Sequence, residues 1–287
     1  MKKILVIGLV TILVVFFGVT GFFAFRQDVP KSKVGSLQSI TANPTPNSKG
    51  VVDLTLIMTG GSFNLSSSGS SESSVNIETN IQDWVPQQTA TGEGYRIEQP
   101  NRPRNNWQKV DYTVNNWRIN AGQNPMDLKI DARIWDGEID LTGVDLRSFQ
   151  LADLNSNSTI RFDKPTKLYD TFLIDSVRSK MNVYGLLNSG AKNVILKIPF
   201  GNYLVDFSGQ LQQDMSAVIT TGFGKTRLEI ADSANVQITY IGQTRKATIE
   251  GDWSQGEGTT FIHSNPGYLL DIVVNSDQGD LEVVVVK

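Results

Sequence analysis

Apolar and polar residues alternate with a period of two along most of the chain beyond residue 50. In one clear example, Leu128, Ile130 and Ala132 alternate with Lys129 and Asp131. Similar alternation occurs in the segments 52–58, 110–114, 194–198, 228–230 and 236–240. Such a pattern gives a strand one buried face and one solvated face. The pattern therefore predicts a mainly β protein.

The predicted strands are short and regularly spaced, and most begin about 10–12 residues after the previous one from residue 128 onward. Strands at this spacing are typical of a β-sandwich, a barrel or a β-solenoid. Glycine recurs in the turns between them, where it supplies the positive φ that a tight corner requires. We predict a repetitive β-sandwich or β-solenoid-like domain, with structural turn positions at Gly137, Gly143, Gly209, Gly222, Gly224 and Gly279.

A weak internal repeat supports this interpretation. The segment Asp140–Gly143 reads DLTG and resembles Asp206–Gly209, which reads DFSG. Self-similarity of this kind is expected when the rungs of a layered structure repeat a corner. Between these two segments, residues 169–184 also fit a helical stripe, so one short helix remains an alternative to strands there.

Two polar segments interrupt the alternation. Residues 26–50 are rich in Pro, Ser, Asn and Gly and have no periodicity, so we predict a flexible linker there. Residues 62–74 read SFNLSSSGSSESS, which predicts a flexible loop. We therefore divide the chain beyond the linker into a β-rich subregion at 51–104, which contains this Ser/Gly-rich loop, and a larger β domain at 105–287.

The N-terminal residues 4–25 form an apolar run without any charged residue. At about 1.5 Å per residue a helix over this run extends roughly 33 Å, which is enough to cross a hydrocarbon core of about 30 Å. A cleaved signal peptide is the alternative, but its apolar core is shorter and ends at a small-residue cleavage site. This run ends in Phe-Phe-Ala-Phe-Arg. We predict a transmembrane anchor at residues 1–25.

The charges around the anchor nearly balance under the positive-inside rule, because lysines or arginines lie on both sides. A short N-terminal tail flanked by lysines usually stays inside, and the Ser/Thr/Asn-rich remainder suits the outside. We expect a single-pass protein of the cell membrane whose C-terminal domain is extracytoplasmic.

Composition excludes several classes of function. The chain has no cysteine, a single histidine and a formal net charge of −3, with 26 basic and 29 acidic residues. Disulfides, thiolate nucleophiles and sites with two imidazoles are therefore absent. Nucleic-acid binding requires a clustered basic face, which this charge balance does not supply. We expect no nucleic-acid partner.

The remaining candidate motifs are better explained as structural. Thr221–Thr226 reads TGFGKT, but it lacks the first glycine of a phosphate-binding loop and precedes an alternating strand instead of a helix. His263 has no nucleophile motif to serve. Acidic residues are scattered singly, whereas a calcium loop gathers several. We predict no catalytic, cofactor-binding or metal-binding residues, and no enzymatic activity.

Five tryptophans leave one alternative open: Trp84, Trp107, Trp117, Trp135 and Trp253. Glycan-binding proteins use exposed indoles as stacking surfaces, although tryptophan is more often a buried packing residue. A polysaccharide-cleaving β-helix could also assemble carboxylates from successive rungs. Two exposed parallel indoles, or a carboxylate cluster in a groove, would favour such a carbohydrate-active protein.

One stretch resembles a known family. Segment 117–165 has a Trp-led strand, a P-x-D-L step at residues 125–128, a glycine corner at Gly137, an L-T-G motif at residues 141–143 and a closing Pro165. Segment 201–230 continues the likeness with a Gly-x-Gly corner, although Ala231 stands where proline is usual. These features are similar to the toastrack-type β domains of bacterial membrane-anchored proteins, which include the cell-wall-active-antibiotic-response group and a related group of candidate adhesins.

The resemblance covers about residues 105–287 and implies a repetitive β-sandwich or solenoid-like stack without catalytic residues. Members of the family look like envelope sensors or scaffolds, and many have several membrane helices where this chain has one. We expect a non-enzymatic, membrane-tethered envelope protein that acts as a sensor, adhesin or interaction scaffold. Its partner is expected to be a protein at the envelope, contacted through exposed strand edges. The alternative is a surface carbohydrate-binding or polysaccharide-cleaving β-helix protein, and the ligand is not identified by the sequence.

Overall fold

The computed structural model describes residues 33–91, 94–100, 113–242, 246–276 and 278–287. This part of the chain is mainly β, as the alternation predicts. Two short 3-10 helices, Gln82–Trp84 and Leu186–Ser189, accompany the strands. The strands are β1 Val34–Ala42, β2 Val52–Ser67, β3 Ser74–Ile81, β4 Gln87–Thr91, β5 Gly94–Glu98, β6 Asn115–Ala121, β7 Met126–Asp140, β8 Leu146–Arg161, β9 Tyr169–Ser176, β10 Arg178–Tyr184, β11 Ala191–Phe207, β12 Met215–Ala231, β13 Asn235–Gly242, β14 Lys246–Glu250, β15 Ser254–Gln255, β16 Thr260–His263, β17 Leu269–Ser276 and β18 Asp280–Val286.

The strands stack as rungs of a parallel β-solenoid. Strands β2, β7, β8, β11 and β12 are the longest, and each bends near its middle. The first half of each rung lies in one sheet and the second half in another. In other rungs two strands share this role: β9 and β10 pair with the first and second halves of β8 and β11. Of the two predicted alternatives, a β-sandwich and a β-solenoid-like domain, the strand pairing matches the second.

Register within the stack is regular. Phe149, Phe172 and Val194 occupy equivalent positions in successive rungs, so the sequence interval between them is the length of one rung. The second halves keep nearly the same interval. Asp140 pairs with Arg161, which pairs with Tyr184, the residue beside Asp206 in the next rung. The similarity between DLTG and DFSG therefore reflects equivalent positions at the ends of rungs that lie several turns apart in the solenoid.

The order of rungs follows the chain only in the middle of the stack. There β2, β7, β8, β9/β10, β11 and β12 are neighbours. At one end β5 and β6 form a rung outside β2, although they follow it in sequence. At the other end β17 and β18 insert between β12 and the rung of β13 and β14. Antiparallel strands cap both ends: β1, β3 and β4 at the first, β15 and β16 at the second.

The core fills the space between the two sheets, and it is rich in aromatic rings. Phe149 and Phe172 stack with centroids 4.9 Å apart, and Phe162 meets Phe172 edge-on at 5.7 Å. Phe63 contacts Trp135 edge-on at the same distance, 5.7 Å. Because equivalent positions of successive rungs are in register, one ring is placed directly above the next. Burial of these rings supplies a large part of the hydrophobic stabilisation.

Two segments predicted to be irregular contain strands. Within the predicted linker, β1 pairs antiparallel with β3 from Gln38 to Ala42. Most of its side chains are exposed, so backbone hydrogen bonds hold it and no apolar period marks it. Within the predicted loop at 62–74, β2 continues to Ser67, and only residues 68–73 lie between the strands. Phe63 and Leu65 are buried there, but the surrounding serines mask their alternation.

The structure also shows how the two predicted subregions pair, and it has strands instead of the alternative helix at 169–184. Strand β2 pairs with β7 from Val52 to Leu65, so the two regions share one sheet and one apolar core. Residues 169–184 form β9 and β10, separated at Val177. Of the apolar positions that suggested a helical stripe, Ile174 and Met181 are buried, whereas Leu173 is half-buried and Val177 is exposed. They therefore do not form one face.

The predicted membrane anchor at residues 1–25 lies outside the described residues. Among the residues that are described, no helix has the length and hydrophobicity needed to cross a bilayer.

Candidate functional site: corner ridge and aliphatic face

The corner between the two sheets is formed by close contact of successive backbones. In β12 the bend lies at Gly224, which has a φ of 129° and pairs with Gly201 of β11. A Cβ atom at Gly224 would lie 1.9 Å from the carbonyl oxygen of Gly201. Both the positive φ and this distance require glycine. At these two positions the corner therefore requires residues that have no side chain, whereas Ser179 occupies the equivalent position in β10.

The six predicted glycine positions fall into two groups. Gly137, Gly143, Gly209 and Gly224 have positive φ, as the sequence predicts. Gly222 and Gly279 do not have positive φ. Their role is close packing, because a Cβ would lie 2.5 Å from the Pro199 oxygen at the first and 2.4 Å from the Gly222 oxygen at the second.

Buried polar side chains follow the inner side of the corner from rung to rung. The bend interrupts the regular hydrogen bonding of the strands, and these side chains bond the backbone groups left over. The Ser179 hydroxyl accepts a hydrogen bond from the backbone N–H of Ser156 at 2.8 Å. The Tyr203 hydroxyl accepts one from the backbone N–H of Ser179 at 3.2 Å and lies 2.9 Å from the Phe200 carbonyl. This network stabilises the corner.

Asp153 is the charged member of this network and is almost fully buried. Its carboxylate accepts hydrogen bonds from the Trp135 indole at 3.2 Å and from the Ser179 hydroxyl at 3.1 Å. Burial raises the pKa of Asp153 above its ordinary value, and the surrounding donors oppose this rise. The group is closed off from solvent, so we assign it to the support of the corner.

The outer side of the same corner carries exposed apolar side chains from four successive rungs. Leu154, Val177, Phe200 and Phe223 are between 37% and 53% exposed. The rings of Phe200 and Phe223 are parallel within 5°, with centroids 5.5 Å apart. We call these four residues the corner ridge. Contiguous exposed apolar surface of this kind marks sites of interaction more often than isolated apolar residues do.

The outer surface of the first sheet continues this apolar character. Leu173, Ile195, Val218 and Val273 are in register on β9, β11, β12 and β17 and form a row on the solvent side. All four are only half-buried. The row next to it is polar, with Thr171, Asn193, Ser216 and Asp271. We call the apolar row the aliphatic face. An apolar centre beside a polar rim is the arrangement found in protein interfaces.

The outer surface of the second sheet is more highly charged. Arg161 pairs with Glu138 and with Asp140, both at 2.9 Å. Arg227 pairs with Glu229 at 2.8 Å and with Glu282 at 2.5 Å. Exposed ion pairs of this kind contribute little to stability but keep a surface solvated. The two outer surfaces therefore differ in what they can bind.

Sequence reasoning missed the aliphatic face, although a signal for it is present. Each strand that contributes to it contains three consecutive apolar residues where strict alternation has a polar residue in the middle. These triplets are 172–174, 194–196, 217–219 and 272–274. A run of three apolar residues in a strand means that both faces are apolar there.

The other candidate residues have structural positions. Trp84, Trp117 and Trp135 are buried and Trp253 is half-buried, while Trp107 lies outside the described residues. Thr221–Thr226 is part of β12, with no helix after it. Among the described residues, no group of three His, Asp or Glu side chains is arranged to hold a metal ion.

His263 lies in the C-terminal cap and is nearly buried. Its two ring nitrogens lie 3.0 Å from the Asp252 carbonyl oxygen and 2.8 Å from the Asp232 carbonyl oxygen. These backbone contacts raise the pKa of His263 above its ordinary value. The ring of Trp253 is 5.5 Å away. His263 thus links β16 to the two turns that contain Asp232 and Asp252.

Comparison with known proteins gives no family assignment, since no family model and no curated protein matches the chain. Among solved structures, the chain is similar to a candidate cell adhesion protein from Clostridium sporogenes, with 14% identity over 86% of this chain and 99% of that one, at a TM-score of 0.44. A candidate adhesin from Bacteroides fragilis has 10% identity over 87% and 97% of the two chains, at a TM-score of 0.38. A candidate adhesin from Parabacteroides distasonis has 10% identity over 88% and 98%, at a TM-score of 0.30. At these scores the alignments do not establish a shared function.

Proposed function

We propose that this protein is a non-enzymatic, membrane-tethered envelope scaffold of the toastrack type, which binds a protein partner through the corner ridge and the aliphatic face. The tether is the apolar segment at residues 4–25, and the β domain lies on the extracytoplasmic side. The role is that of an adhesin or interaction scaffold. A sensing role follows if partner binding is transmitted through the anchor.

The contrast between the two outer surfaces carries the proposal. Both belong to the same stack of strands, and both face away from the core. The second sheet carries a network of ion pairs around Arg161 and Arg227. The first sheet carries one cross-rung pair, Lys197–Asp175, beside the half-buried aliphatic row. The exposed rings of Phe200 and Phe223 lie on the adjoining corner. Exposed apolar area is costly in water, so a surface that keeps it is suited to association.

Site-specific photo-crosslinking in intact cells tests the contact surface. A benzophenone amino acid is placed at Phe223 on the corner ridge or at Tyr184 on the charged surface. Both residues are exposed aromatics, so the second position is a matched control. We expect a discrete crosslinked protein band from position 223 and none from position 184. Equal labelling from both positions, or none from either, would contradict the assignment of this surface.

The tether and its orientation are tested separately. The full chain is expected to remain in the membrane fraction after alkaline carbonate extraction, because a spanning apolar helix is not released by pH. Protease added to intact cells from which any outer barrier has been removed is expected to digest residues beyond the anchor. Survival of the β domain under conditions that digest a known surface protein would place it on the cytoplasmic side.

A further inference from the structure

A groove of about 200 Å³ lies on the side of the solenoid that belongs to neither sheet, where turns connect one rung to the next. Its walls are the turn 209–211 after β11, residues 233–235 between β12 and the start of β13, and the turn 266–268 before β17. Leu187 is buried at its base, and Leu211 and Ala234 pack against the core. The groove therefore has an apolar floor and a rim made of turns.

The rim carries neutral groups that can form hydrogen bonds. None of the described residues that line the groove has a side chain charged at neutral pH. Tyr268, at one edge, is 53% exposed. Gln210 and Ser233 are exposed beside it, and Asn235 is half-buried. The lining thus combines one exposed aromatic ring with amide and hydroxyl groups.

Gln210 differs from two glutamines that follow it in the same turn. The amide of Gln212 donates a hydrogen bond to the Thr166 carbonyl at 2.9 Å, and that of Gln213 donates one to the Gly190 carbonyl at 3.1 Å. The side chain of Gln210 forms no hydrogen bond with the described residues. Two of these amides therefore hold the turn, while the third is exposed at the rim of the groove.

The turns that form the groove are fixed by buried polar contacts. Asn188, which is 8% exposed, accepts a hydrogen bond from the Gln210 backbone N–H at 2.8 Å and donates one to the Phe162 carbonyl at 2.9 Å. On the opposite wall, the amide of Asn265 donates to the Ala234 carbonyl at 3.0 Å. A site held in this way loses little conformational entropy when a ligand binds.

We propose that this groove binds one ring of a neutral saccharide. The apolar face of a pyranose stacks on an aromatic ring, and its hydroxyls both donate and accept hydrogen bonds, as amides and hydroxyls do. The uncharged lining disfavours anionic sugars. The volume is below the range of roughly 300–1,000 Å³ typical for larger ligands, so it suits a single ring. This site is separate from the corner ridge and does not depend on the proposed protein partner.

Saturation-transfer NMR on the full chain in detergent micelles tests the proposal. The probes are glucose, galactose, mannose and N-acetylglucosamine, with glucuronate as the charged comparison and an uncharged peptide as the alternative ligand. We expect at least one neutral sugar to receive saturation. Tyr268→Ala and Gln210→Ala should each weaken its binding about tenfold, whereas Tyr184→Ala, an exposed tyrosine on the second sheet, should leave it unchanged.

Tyr268→Trp keeps a stacking surface and should retain binding, which separates loss of the ring from loss of the fold. Phe223→Ser, on the corner ridge, should also leave sugar binding unchanged, so failure of one proposal is distinguishable from failure of the other. The saccharide site is overturned if no neutral sugar binds, if glucuronate or the peptide binds more tightly, or if binding persists in Tyr268→Ala.

Discussion

Protonation of His263 is expected to control the stability of the C-terminal cap. Both ring nitrogens face carbonyl oxygens, at 3.0 Å and 2.8 Å. A neutral imidazole has a single N–H and can donate to only one of them, whereas the imidazolium donates to both. Raising the pH therefore removes one donor, and the lone pair left on that nitrogen faces a carbonyl oxygen.

The size of the effect follows from the lost contact. A hydrogen bond involving a charged group contributes about 1.5–3 kcal/mol, and we expect a loss within this range because His263 is nearly buried. Asp232 also lies 3.7 Å from the ring, but its carboxylate is largely exposed, so the pair adds little. The pKa of His263 is raised in the folded protein. Its stabilisation is therefore complete below about pH 6.5, the unfolded value, and is lost as the pH rises through the folded pKa.

Two measurements check this. Because the chain has one histidine, its ring proton signals in an NMR titration report the pKa directly. Hydrogen exchange of the β16 amides, corrected for the intrinsic pH dependence of exchange, reports the local stability of the cap. Protection of β16 is expected to fall as the pH rises above about 6.5 in the wild type, while His263→Phe, which fills the space without titrating, shows no such fall.

The reasoning would be refuted by either of two results. One is a titration of His263 at or below about pH 6.5, which would mean that the fold does not favour the charged ring. The other is the same fall in β16 protection in His263→Phe as in the wild type. Strands near the middle of the stack, such as β8, serve as an internal control, since they are far from the cap in a structure whose rungs contact only their neighbours.

Three further predictions concern the rungs. Gly224→Ala is expected to destabilise the protein by about 2–4 kcal/mol in urea unfolding, because the new Cβ meets a backbone oxygen at positive φ. The control Gly69→Ala, with open space around it, should cost about 1 kcal/mol. Equal losses would contradict the corner geometry. Because the pKa of Asp153 is raised in the folded protein, its ionisation should lower the wild-type melting temperature as the pH rises above about 4. Asp153→Asn should reduce this decline. An unchanged slope would show that Asp153 is not the cause. Phe172→Ala should cost about 3–5 kcal/mol in urea unfolding by opening a cavity beside the rings of Phe149 and Phe162, and a loss below about 1 kcal/mol would mean that the core collapses around it.

Much of the architecture is encoded locally and is readable from the sequence. Alternation along segments such as 126–132 identifies strands with one buried face, because side chains on neighbouring residues of a strand point to opposite sides. Positive-φ glycines such as Gly137 and Gly224 identify corners, because few other residues adopt that conformation. The similarity between the segments DLTG and DFSG reflects the repeat of the rungs. These properties depend on a residue and its immediate neighbours.

Strand β1 and the end of β2 were harder to predict because contacts distant in sequence hold them. The backbone of β1 is bonded to β3, and its side chains are mostly exposed, so burial leaves no pattern on it. The glycines Gly222 and Gly279 are required by an approach to backbone atoms of other rungs, and no local rule distinguishes that need from a turn.

The order of the rungs and the candidate sites were decided only by the tertiary structure. Val218 and Val273 are distant in the sequence, yet they are neighbours on the aliphatic face because β17 inserts beside β12. Tyr268 reaches the groove beside Gln210 for the same reason. Period-two alternation fixes which way a side chain points from its strand. It does not fix which strand lies next to it, because that depends on the pairing of backbones that are identical from one strand to another.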